Sequence, residues 1–395
     1  MSFNIALTGL NAVNEQLNAV SNNIANSGTT GFKSSRAEFG SIYAGTQAMG
    51  VETLGLTQSI SQGGSLVTTG RSLDLAISGG GFFVTKASNG DLSYTRAGVF
   101  GTDKNNNLTN AAGQLLQGYP VDQNGTLQVG NVGNLQLKNA NLPAKATDEM
   151  SFVMNLDSNE AAPPVAPFDP ANANTFNSTY TTKIFDSQGK EHTLTQYFVK
   201  TGANQWQAHY YADGGAVGTP QNLTFNTSGA LTAPAAPVNL TFPFAGVNAM
   251  NIDVDYTGTS QYGSDFVVTT NAATGYTAGE QTGLAIEKDG MIYATYSNGE
   301  RMLQGKVVLA TFANLDGLKN ESGTAWSETA DSGGAMIGSP GIGSLGTLTA
   351  GALESSNVDL TQQLVKLMEG QRNYQANTKV LSTDKELTQV LFNAI

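Results

Sequence analysis

The apolar residues at the two ends of the chain recur in steps of three and four. The N-terminal series is unbroken and consists of Phe3, Ala6, Leu10, Val13, Leu17, Val20 and Ile24. The C-terminal series includes three polar or semi-polar positions and consists of Leu360, Leu364, Leu367, Gln371, Tyr374, Thr378 and Leu381. A heptad stripe is the surface that one helix presents to another in a coiled coil. The pattern predicts a helix at each end, the two pairing in a coiled coil, in a subunit that docks into something larger.

Between the two stripes the chain carries the signals of β structure. Asn89-Gly90 and Asn124-Gly125 are flanked by alternating runs, and Asp289-Gly290 and Asn298-Gly299 separate three more. Asn-Gly is the strongest short signal for a β-hairpin. The predicted fold is therefore mainly β with α-helical termini: the N- and C-terminal helices form a coiled coil, and two β-rich domains lie between them in the sequence.

The pattern also predicts a nested domain order. The N-terminal helix of the coiled-coil domain occupies 1–30, and an extended connector follows at 31–70, where the periodicity is weak. A discontinuous β domain uses 71–145 and 281–355, and a second β domain is inserted at 146–280. The C-terminal helix lies within 356–395.

Composition narrows the possible partners. The net charge of −12 disfavours nucleic acid and anionic membrane surfaces, which attract Lys and Arg. No cysteine is present, so disulfides and thiolate metal sites are excluded. No stretch approaches the ~18 apolar residues of a membrane span. The first basic residue is Lys33, so we expect no cleaved signal peptide: the protein stays in the cytoplasm or leaves by a route without a leader.

Several strings resemble catalytic or cofactor motifs, and each fails on its context. The G-x-G-x-x-G string at 341–346 follows a proline instead of a hydrophobic strand. The calcium-loop pattern that begins at Asp103 lacks its glycine and its final glutamate. His192 and His209 have no supporting motif for a triad or a metal site. We therefore expect no catalytic residue, no metal and no cofactor, and predict that the protein is not an enzyme.

Two readings from other classes stay open on composition alone. A secreted β-rich enzyme such as a glycosidase needs two paired carboxylates, and Asp253, Asp255 and Asp265 are candidates by count only. An adhesin fits the composition but does not need terminal helices.

Three blocks of sequence, in the same order, resemble the bacterial flagellar rod and hook axial proteins. They are Asn22-Asn-Ile-Ala-Asn26 with Thr30-Gly-Phe-Lys33, then Thr69-Gly-Arg-Ser-Leu-Asp-Leu-Ala-Ile77 with Gly81-Phe-Phe83, and finally Ala352-Leu-Glu-Ser-Ser-Asn-Val-Asp-Leu360 with Gln371-Arg-Asn-Tyr-Gln-Ala-Asn377. The first block supplies the family-motif residues Asn22, Asn23, Ala25, Asn26, Thr30, Gly31 and Phe32. The middle of the chain, including Phe185-Asp-Ser-Gln-Gly189 and Tyr197-Phe-Val-Lys200, is similar to hook members of the family, whereas distal rod members are shorter.

The resemblance implies a structural subunit that polymerises into the flexible, curved hook tube around an export channel; a distal rod subunit is the alternative. It also implies that the coiled coil is the inner domain of the tube and that the two β-rich domains are outer domains. The implied partners are copies of the chain itself, the distal rod protein, the hook cap and hook–filament junction proteins, and the flagellar type III export apparatus. Nucleic acid and membrane insertion are not expected, and the location is the extracellular flagellum. The expected coiled-coil and subunit interface comprises Phe3, Leu10, Val13, Leu17, Val20, Ile24, Leu360, Leu364, Leu367, Tyr374 and Leu381.

Overall fold

The computed structural model describes residues 2–122 and 125–393. The chain forms two compact units, and each unit is built from more than one segment of the sequence. Unit 1 draws on 1–139, 283–294 and 301–395, whereas unit 2 consists of 140–282 and 295–300.

The secondary structure follows this chain order. Helix α1 (Ser2–Ala25) precedes ten strands, which are β1 Ser35–Ala44, β2 Gln47–Gln58, β3 Leu66–Thr68, β4 Leu75–Ser78, β5 Phe82–Lys86, β6 Leu92–Thr95, β7 Phe100–Thr102, β8 Leu108–Asn110, β9 Leu115–Pro120 and β10 Gly133–Asn134. The strands that follow are β11 Glu149–Asp157, β12 Ser178–Phe185, β13 Glu191–Gly202, β14 Gln205–Ala212, β15 Gly215–Ala216, β16 Gln221–Phe225, β17 Leu231–Ala233, β18 Val238–Phe242, β19 Met250–Asp255, β20 Ser260–Tyr262 and β21 Val267–Ala273. The last part contains β22 Gln281–Ile286, β23 Met291–Tyr296, β24 Arg301–Val307, β25 Leu309–Thr311, β26 Lys319–Glu321, β27 Ala325–Ser327, β28 Met336–Gly338, β29 Thr347–Ala350, β30 Ala352–Glu354 and helix α2 (Leu360–Asn393). Short 3₁₀ turns occupy Ala173–Thr175 and Leu315–Gly317.

The β part of unit 1 is built on one large sheet with the order β22-β23-β24-β9-β5-β6-β27-β26. Strand β5 lies near its middle and is buried on both faces. Phe82 and Val84 pack into one hydrophobic cluster, and Phe83 packs into the other. A strand covered on both sides reads as a continuous apolar run, which is the pattern of Phe82-Phe83-Val84. Two short pairs, β29 with β4 and β3 with β30, connect the end of the sheet region to α2.

Unit 2 is a sandwich of two sheets around one core. One sheet has the order β18-β19-β11-β20 with β21 beside β11, and the other has the order β12-β13-β14-β16-β17. Along β13 every second residue is buried, so Leu194, Gln196 and Phe198 face the core. The predicted turn at 187–189 joins β12 to β13, which pair antiparallel with Phe185 opposite Glu191.

The segment 31–70 is not the extended connector that its weak pattern predicts. It contains a two-stranded antiparallel hairpin, β1 with β2, whose turn includes Gly45 at φ +64°. Leu54 and Leu56 remain 66 % and 59 % exposed on β2. A hairpin that buries neither face lacks the apolar alternation that half-buried strands show, so the sequence carries little signal for it. Neither helix of the described residues is both long and apolar enough to span a membrane.

Candidate assembly interface

Helices α1 and α2 of unit 1 lie against each other and run antiparallel. Asn23, near the end of α1, contacts Gln363 in the first turn of α2. Leu17 lies against Gly370, and Gly9 lies against Asn377. Helix α2 is 34 residues long and α1 only 24. The last turns of α2 therefore extend beyond the start of α1.

The stripe predicted on α1 is turned toward its neighbours over most of its length. Val13 and Val20 are buried, as are Ala6, Ala12 and Ala19. Leu10, Leu17 and Ile24 are half-buried, and Phe3 at the free end is 48 % exposed. The β1–β2 hairpin covers part of α1, with the Val51 backbone N–H 3.3 Å from Thr8 Oγ1.

The residues of the stripe predicted on α2 differ in exposure. Leu367 and Leu381 are half-buried. Leu360, Leu364 and Tyr374 are 46 %, 45 % and 40 % exposed. The chain by itself therefore covers only part of the apolar surface of this helix.

The motif residue Asn23 holds the end of α1 to two other segments. Its Nδ2 donates to the Ser35 carbonyl at 2.7 Å and to Gln363 Oε1 at 3.2 Å, while its Oδ1 accepts from the Ser35 N–H at 2.9 Å. The side chain is 1 % exposed. Because a buried amide must have its hydrogen bonds made, this position ties the first strand of the hairpin and the start of α2 to α1.

The other polar residues of the motif and Gly31 end helix α1 and form the turn that follows it. Asn26 Nδ2 donates to Asn22 Oδ1 at 2.6 Å, and Thr29 Oγ1 donates to Asn26 Oδ1 at 3.0 Å. Gly31 has φ +71°, and a Cβ there would lie 2.5 Å from the backbone nitrogen of Ala97. Only glycine fits this turn, because both the backbone conformation and the space exclude a side chain.

A buried cluster of three charges lies directly after the turn. Lys33 Nζ is 2.6 Å from Glu354 Oε1, and Arg96 Nη1 is 3.2 Å from Glu354 Oε2. All three side chains are at most 4 % exposed. Burial lowers the pKa of Lys33 and of Arg96, although the contacts with Glu354 oppose that shift in both cases. One carboxylate thus neutralises cations from two distant parts of unit 1.

Asn357 extends this junction to the start of α2. Its Oδ1 accepts from the Ser34 N–H at 2.7 Å, and its Nδ2 donates to the carbonyls of Ser59 and Gln62 at 3.0 and 3.2 Å. The chain that enters α2 is therefore fixed to the residues that flank the hairpin.

Sequence reasoning missed Glu354, Arg96 and Asn357 as members of this junction. Lys33 and Glu354 both lie in the quoted motif blocks, but 321 positions separate them. Only 13 % of the residues are charged, so a charged residue within a motif block is a signal for a buried ion pair. The sequence does not tell which opposite charge it meets.

The two histidines, His192 and His209, lie in unit 2 and make contacts that stabilise its fold. His192 is hydrogen-bonded through Nδ1 to Asp213 at 2.7 Å and through Nε2 to Asp186 at 3.3 Å, and its ring stacks on Phe244. His209 stacks on Phe168 with the ring centroids 4.0 Å apart, and burial lowers its pKa. The hydrogen-bond partners of His192 are carboxylates, and His209 stacks on a phenylalanine ring, so neither arrangement is that of a catalytic triad.

The remaining candidates are parts of turns and strands. Asp103 Oδ1 accepts from the N–H groups of Asn105 and Asn107 at the tip of the β7–β8 hairpin. Asp253 and Asp255 lie on β19, where Asp253 accepts from Asn239 and Asp255 caps a local turn. Within 2–122 and 125–393, no group of three or more His, Cys, Asp or Glu is arranged to hold a metal ion.

Comparison with protein-family models divides the chain into four matched regions. Residues 3–33 match "Flagella basal body rod protein" and residues 76–152 match "Flagellar hook protein FlgE/F/G D1 domain". Residues 155–276 match "Flagellar basal body protein FlaE D2 domain", and residues 349–394 match "Flagellar basal body rod FlgEFG protein C-terminal".

Similar proteins extend over the whole length. The flagellar hook protein FlgE of Escherichia coli K12 is 40 % identical, with 100 % of both chains covered. Those of Salmonella typhimurium and Rhizobium meliloti are 38 % and 35 % identical, with at least 97 % of each chain covered. The crystal structure of Helicobacter pylori flagellar hook protein FlgE2 is similar in fold, with a TM-score of 0.55 and 13 % identity over 73 % of this chain and 99 % of that one.

Proposed function

This chain belongs to the flagellar hook protein family, and from that premise we propose how it works as a structural subunit of the hook. Copies polymerise into a flexible, curved tube that encloses the export channel and transmits torque from rod to filament. The observation that carries this function is similarity at 40 % identity over the entire chain, which includes the inserted unit 2.

The inserted unit distinguishes the hook function from that of a distal rod subunit. Unit 2 has its own twenty-residue hydrophobic core. A rod subunit shares the terminal blocks but lacks a large insertion of this kind. The match of 155–276 to a D2 domain model supports the hook.

We assign the inner domain of the tube to 1–30 and 356–395. Its interface comprises the residues of both stripes, which are Phe3, Leu10, Val13, Leu17, Val20, Ile24, Leu360, Leu364, Leu367, Tyr374 and Leu381. Those exposed in the single chain, such as Leu364, are available to other copies. Burying such side chains contributes about 1.5–3 kcal/mol each, so a tube can order helices that are only marginally stable alone.

The partners follow from this place in the assembly. Besides other copies, they are the distal rod protein below, the hook cap during growth, and the hook–filament junction proteins above. The chain reaches the extracellular flagellum through the flagellar type III export apparatus. Its role is purely structural, so purified chain is expected to show no hydrolase activity.

Electron microscopy of basal bodies from a strain that lacks this gene tests the assignment. Complete rods without hook or filament are expected, and the wild-type gene on a plasmid should restore hooks. Shortened rods would make the chain a rod subunit instead, and intact hooks would refute both functions.

A further inference from the structure

The chain uses one turn sequence twice. Ser88-Asn-Gly-Asp91 joins β5 to β6, and Ser297-Asn-Gly-Glu300 joins β23 to β24. In both turns the glycine N–H donates to the carbonyl three residues before it, at 2.9 and 3.0 Å, and the glycine φ is +98° and +87°. In both turns the asparagine Oδ1 also accepts from the N–H two residues later, at 3.1 and 3.0 Å. Asn89 and Asn298 therefore have the same adjacent residues and the same local geometry.

An asparagine that precedes glycine can react without an enzyme. The glycine backbone nitrogen forms a bond to the asparagine Cγ, the Cγ–Nδ2 bond breaks, and the glycine amide proton leaves with Nδ2 as ammonia. Water then opens the cyclic imide at either of its two C–N bonds, which leaves aspartate or isoaspartate. Glycine has no side chain to hinder the attack. The asparagine amide must, however, be free to reach the attack geometry and to release Nδ2.

Tertiary contacts within unit 2 hold the amide of Asn298. Its Nδ2 donates to the Thr277 carbonyl at 2.7 Å. A Cβ at Gly279 would lie 2.8 Å from Asn298 Cγ, so the amide packs tightly against this segment. The Glu280 N–H donates to Ser297 Oγ at 3.0 Å and ties the turn to the same segment. The reaction at Asn298 therefore requires a contact outside the turn to break.

The amide of Asn89 is held within its own turn. Its Nδ2 donates to Asp91 Oδ2 at 2.6 Å, and both side chains are exposed. A Cβ at Gly90 would meet nothing within 4 Å, so the turn is open to solvent. A hydrogen bond between two exposed side chains of one turn opposes rotation of the amide only weakly, because water can replace either partner.

We infer that Asn89 is a modification site, which deamidates spontaneously with water as the co-reactant, whereas tertiary contacts protect Asn298 in the same kind of turn. The third Asn-Gly pair, at 124–125, includes a position outside the described residues.

Deamidation at Asn89 changes the charge of the β5–β6 turn. The new carboxylate takes the place of the amide that donates to Asp91, so repulsion between two carboxylates replaces a hydrogen bond. Isoaspartate also lengthens the backbone of the turn by one methylene. Phe82, Phe83 and Val84, which anchor β5 in the core, lie nearer the other end of the strand. The modification therefore alters the surface of unit 1 and leaves its core in place.

Peptide mapping by mass spectrometry measures the two rates in one sample. Trypsin cleaves after Lys and Arg, so 87–96 and 289–301 are separate peptides with one asparagine each. Full-length chain is incubated in mildly alkaline buffer and digested under mildly acidic conditions, and the amide and acid forms of each peptide are quantified over time. Synthetic isoaspartyl peptides identify the isomer. In the folded chain Asn89 should react about tenfold faster than Asn298, the factor that one net hydrogen bond supplies.

The same incubation in urea separates the effect of the fold from that of the sequence. Both asparagines follow serine and precede glycine and an acidic residue, so their rates should become nearly equal in the unfolded chain. A difference of about tenfold that persists in urea would overturn the inference. Equal rates in the folded chain, or a faster reaction at Asn298, would also overturn it.

Gly279→Ala tests the protecting contacts directly. Its Cβ should displace the Asn298 amide from the Thr277 carbonyl and raise the rate at Asn298 severalfold, with the rate at Asn89 unchanged. The matched control is Gly202→Ala in the same unit, where a Cβ would lie at an ordinary 3.5 Å from the nearest side-chain atom, and it should change neither rate. Circular dichroism verifies that both variants are folded. A rate at Asn298 that stays low in folded Gly279→Ala chain would refute protection by these contacts.

Discussion

Charge is scarce in this chain, and at the residue level three charged side chains are used in an unusual place. Lys33, Arg96 and Glu354 are buried together in unit 1. Taking a charge out of water is costly unless it is paired and hydrogen-bonded. The carboxylate also accepts from the Gly64 N–H at 2.9 Å, so each of its oxygens has a partner.

Replacing Glu354 should destabilise unit 1 strongly. Glu354→Gln leaves two buried cations without a counter-charge, a loss of about 3–5 kcal/mol in the free energy of unfolding. The chain has one tryptophan in each unit, so a Trp206→Phe background lets Trp326 report urea unfolding of unit 1 alone. Glu38→Gln breaks an exposed pair with Arg36 and serves as the control. Equal midpoints for the two variants would show that the buried cluster contributes nothing.

The turn residue Gly31 allows a matched test with its neighbour in the motif. Gly31→Ala places a Cβ 2.5 Å from a backbone atom at positive φ, and about 1–3 kcal/mol of stability should be lost. Gly28→Ala meets nothing within 4 Å and should have little effect. The same tryptophan-based urea titration measures both, and an unperturbed Gly31→Ala variant would exclude strain at this turn.

At the scale of elements, the two helices have different surroundings. Helix α1 is covered by α2 and by the β1–β2 hairpin, whereas α2 keeps exposed leucines along one side. Exposed apolar side chains in a row are typical of surfaces that another molecule covers.

A charge on the exposed side of α2 should block assembly without unfolding the chain. Leu364→Asp places a carboxylate where another copy is expected to pack, and a buried unpaired charge is strongly unfavourable. Sedimentation and electron microscopy should show monomer with unchanged circular dichroism. Gln362→Asp, two positions earlier and also exposed, should still polymerise. Leu10→Asp on α1 should likewise prevent assembly, and normal tubes from either leucine variant would refute the interface.

Sequence periodicity predicted these elements to the extent that burial shaped them. Helix α1 and the hairpin of β12 with β13 are predicted because one face of each is apolar, and α2 is predicted from a heptad stripe that polar residues interrupt. The β1–β2 hairpin was missed because both of its faces stay partly exposed. The face that α2 turns toward α1 could not be predicted, because its buried positions are Gln363 and Gly370. Neither residue continues an apolar periodicity. The charge cluster depends on a pairing across 321 residues that no local pattern contains.

At the scale of the whole molecule, each unit has its own core and its own buried tryptophan. Unit 2 also has its own response to acid. Burial alone would raise the pKa of Asp186 and Asp213, but hydrogen bonds from backbone N–H groups and from His192 hold both below the ordinary value.

These shifts predict that unit 2 loses stability in acid. A carboxylate whose pKa is lower in the folded state stabilises the fold above its unfolded pKa, and this contribution is lost as pH falls through the folded value. In a Trp326→Phe background, the urea midpoint reported by Trp206 should fall as the pH is lowered from about 5 through the folded-state pKa of these carboxylates. Asp213→Asn should flatten this dependence, and Asp265→Asn, an exposed control, should not. Identical pH profiles for all three chains would rule out a contribution from Asp213.

The longer segment of unit 2, residues 140–282, has its two ends side by side. Leu142 pairs with Gly279 and Lys145 pairs with Tyr276, so a short antiparallel ladder joins the two ends of this segment. A segment whose ends are held together in this way can be enlarged or trimmed without changing the distance that the flanking chain must span. The chain can therefore accept a grafted domain between these two ends while the terminal helices keep their sequence.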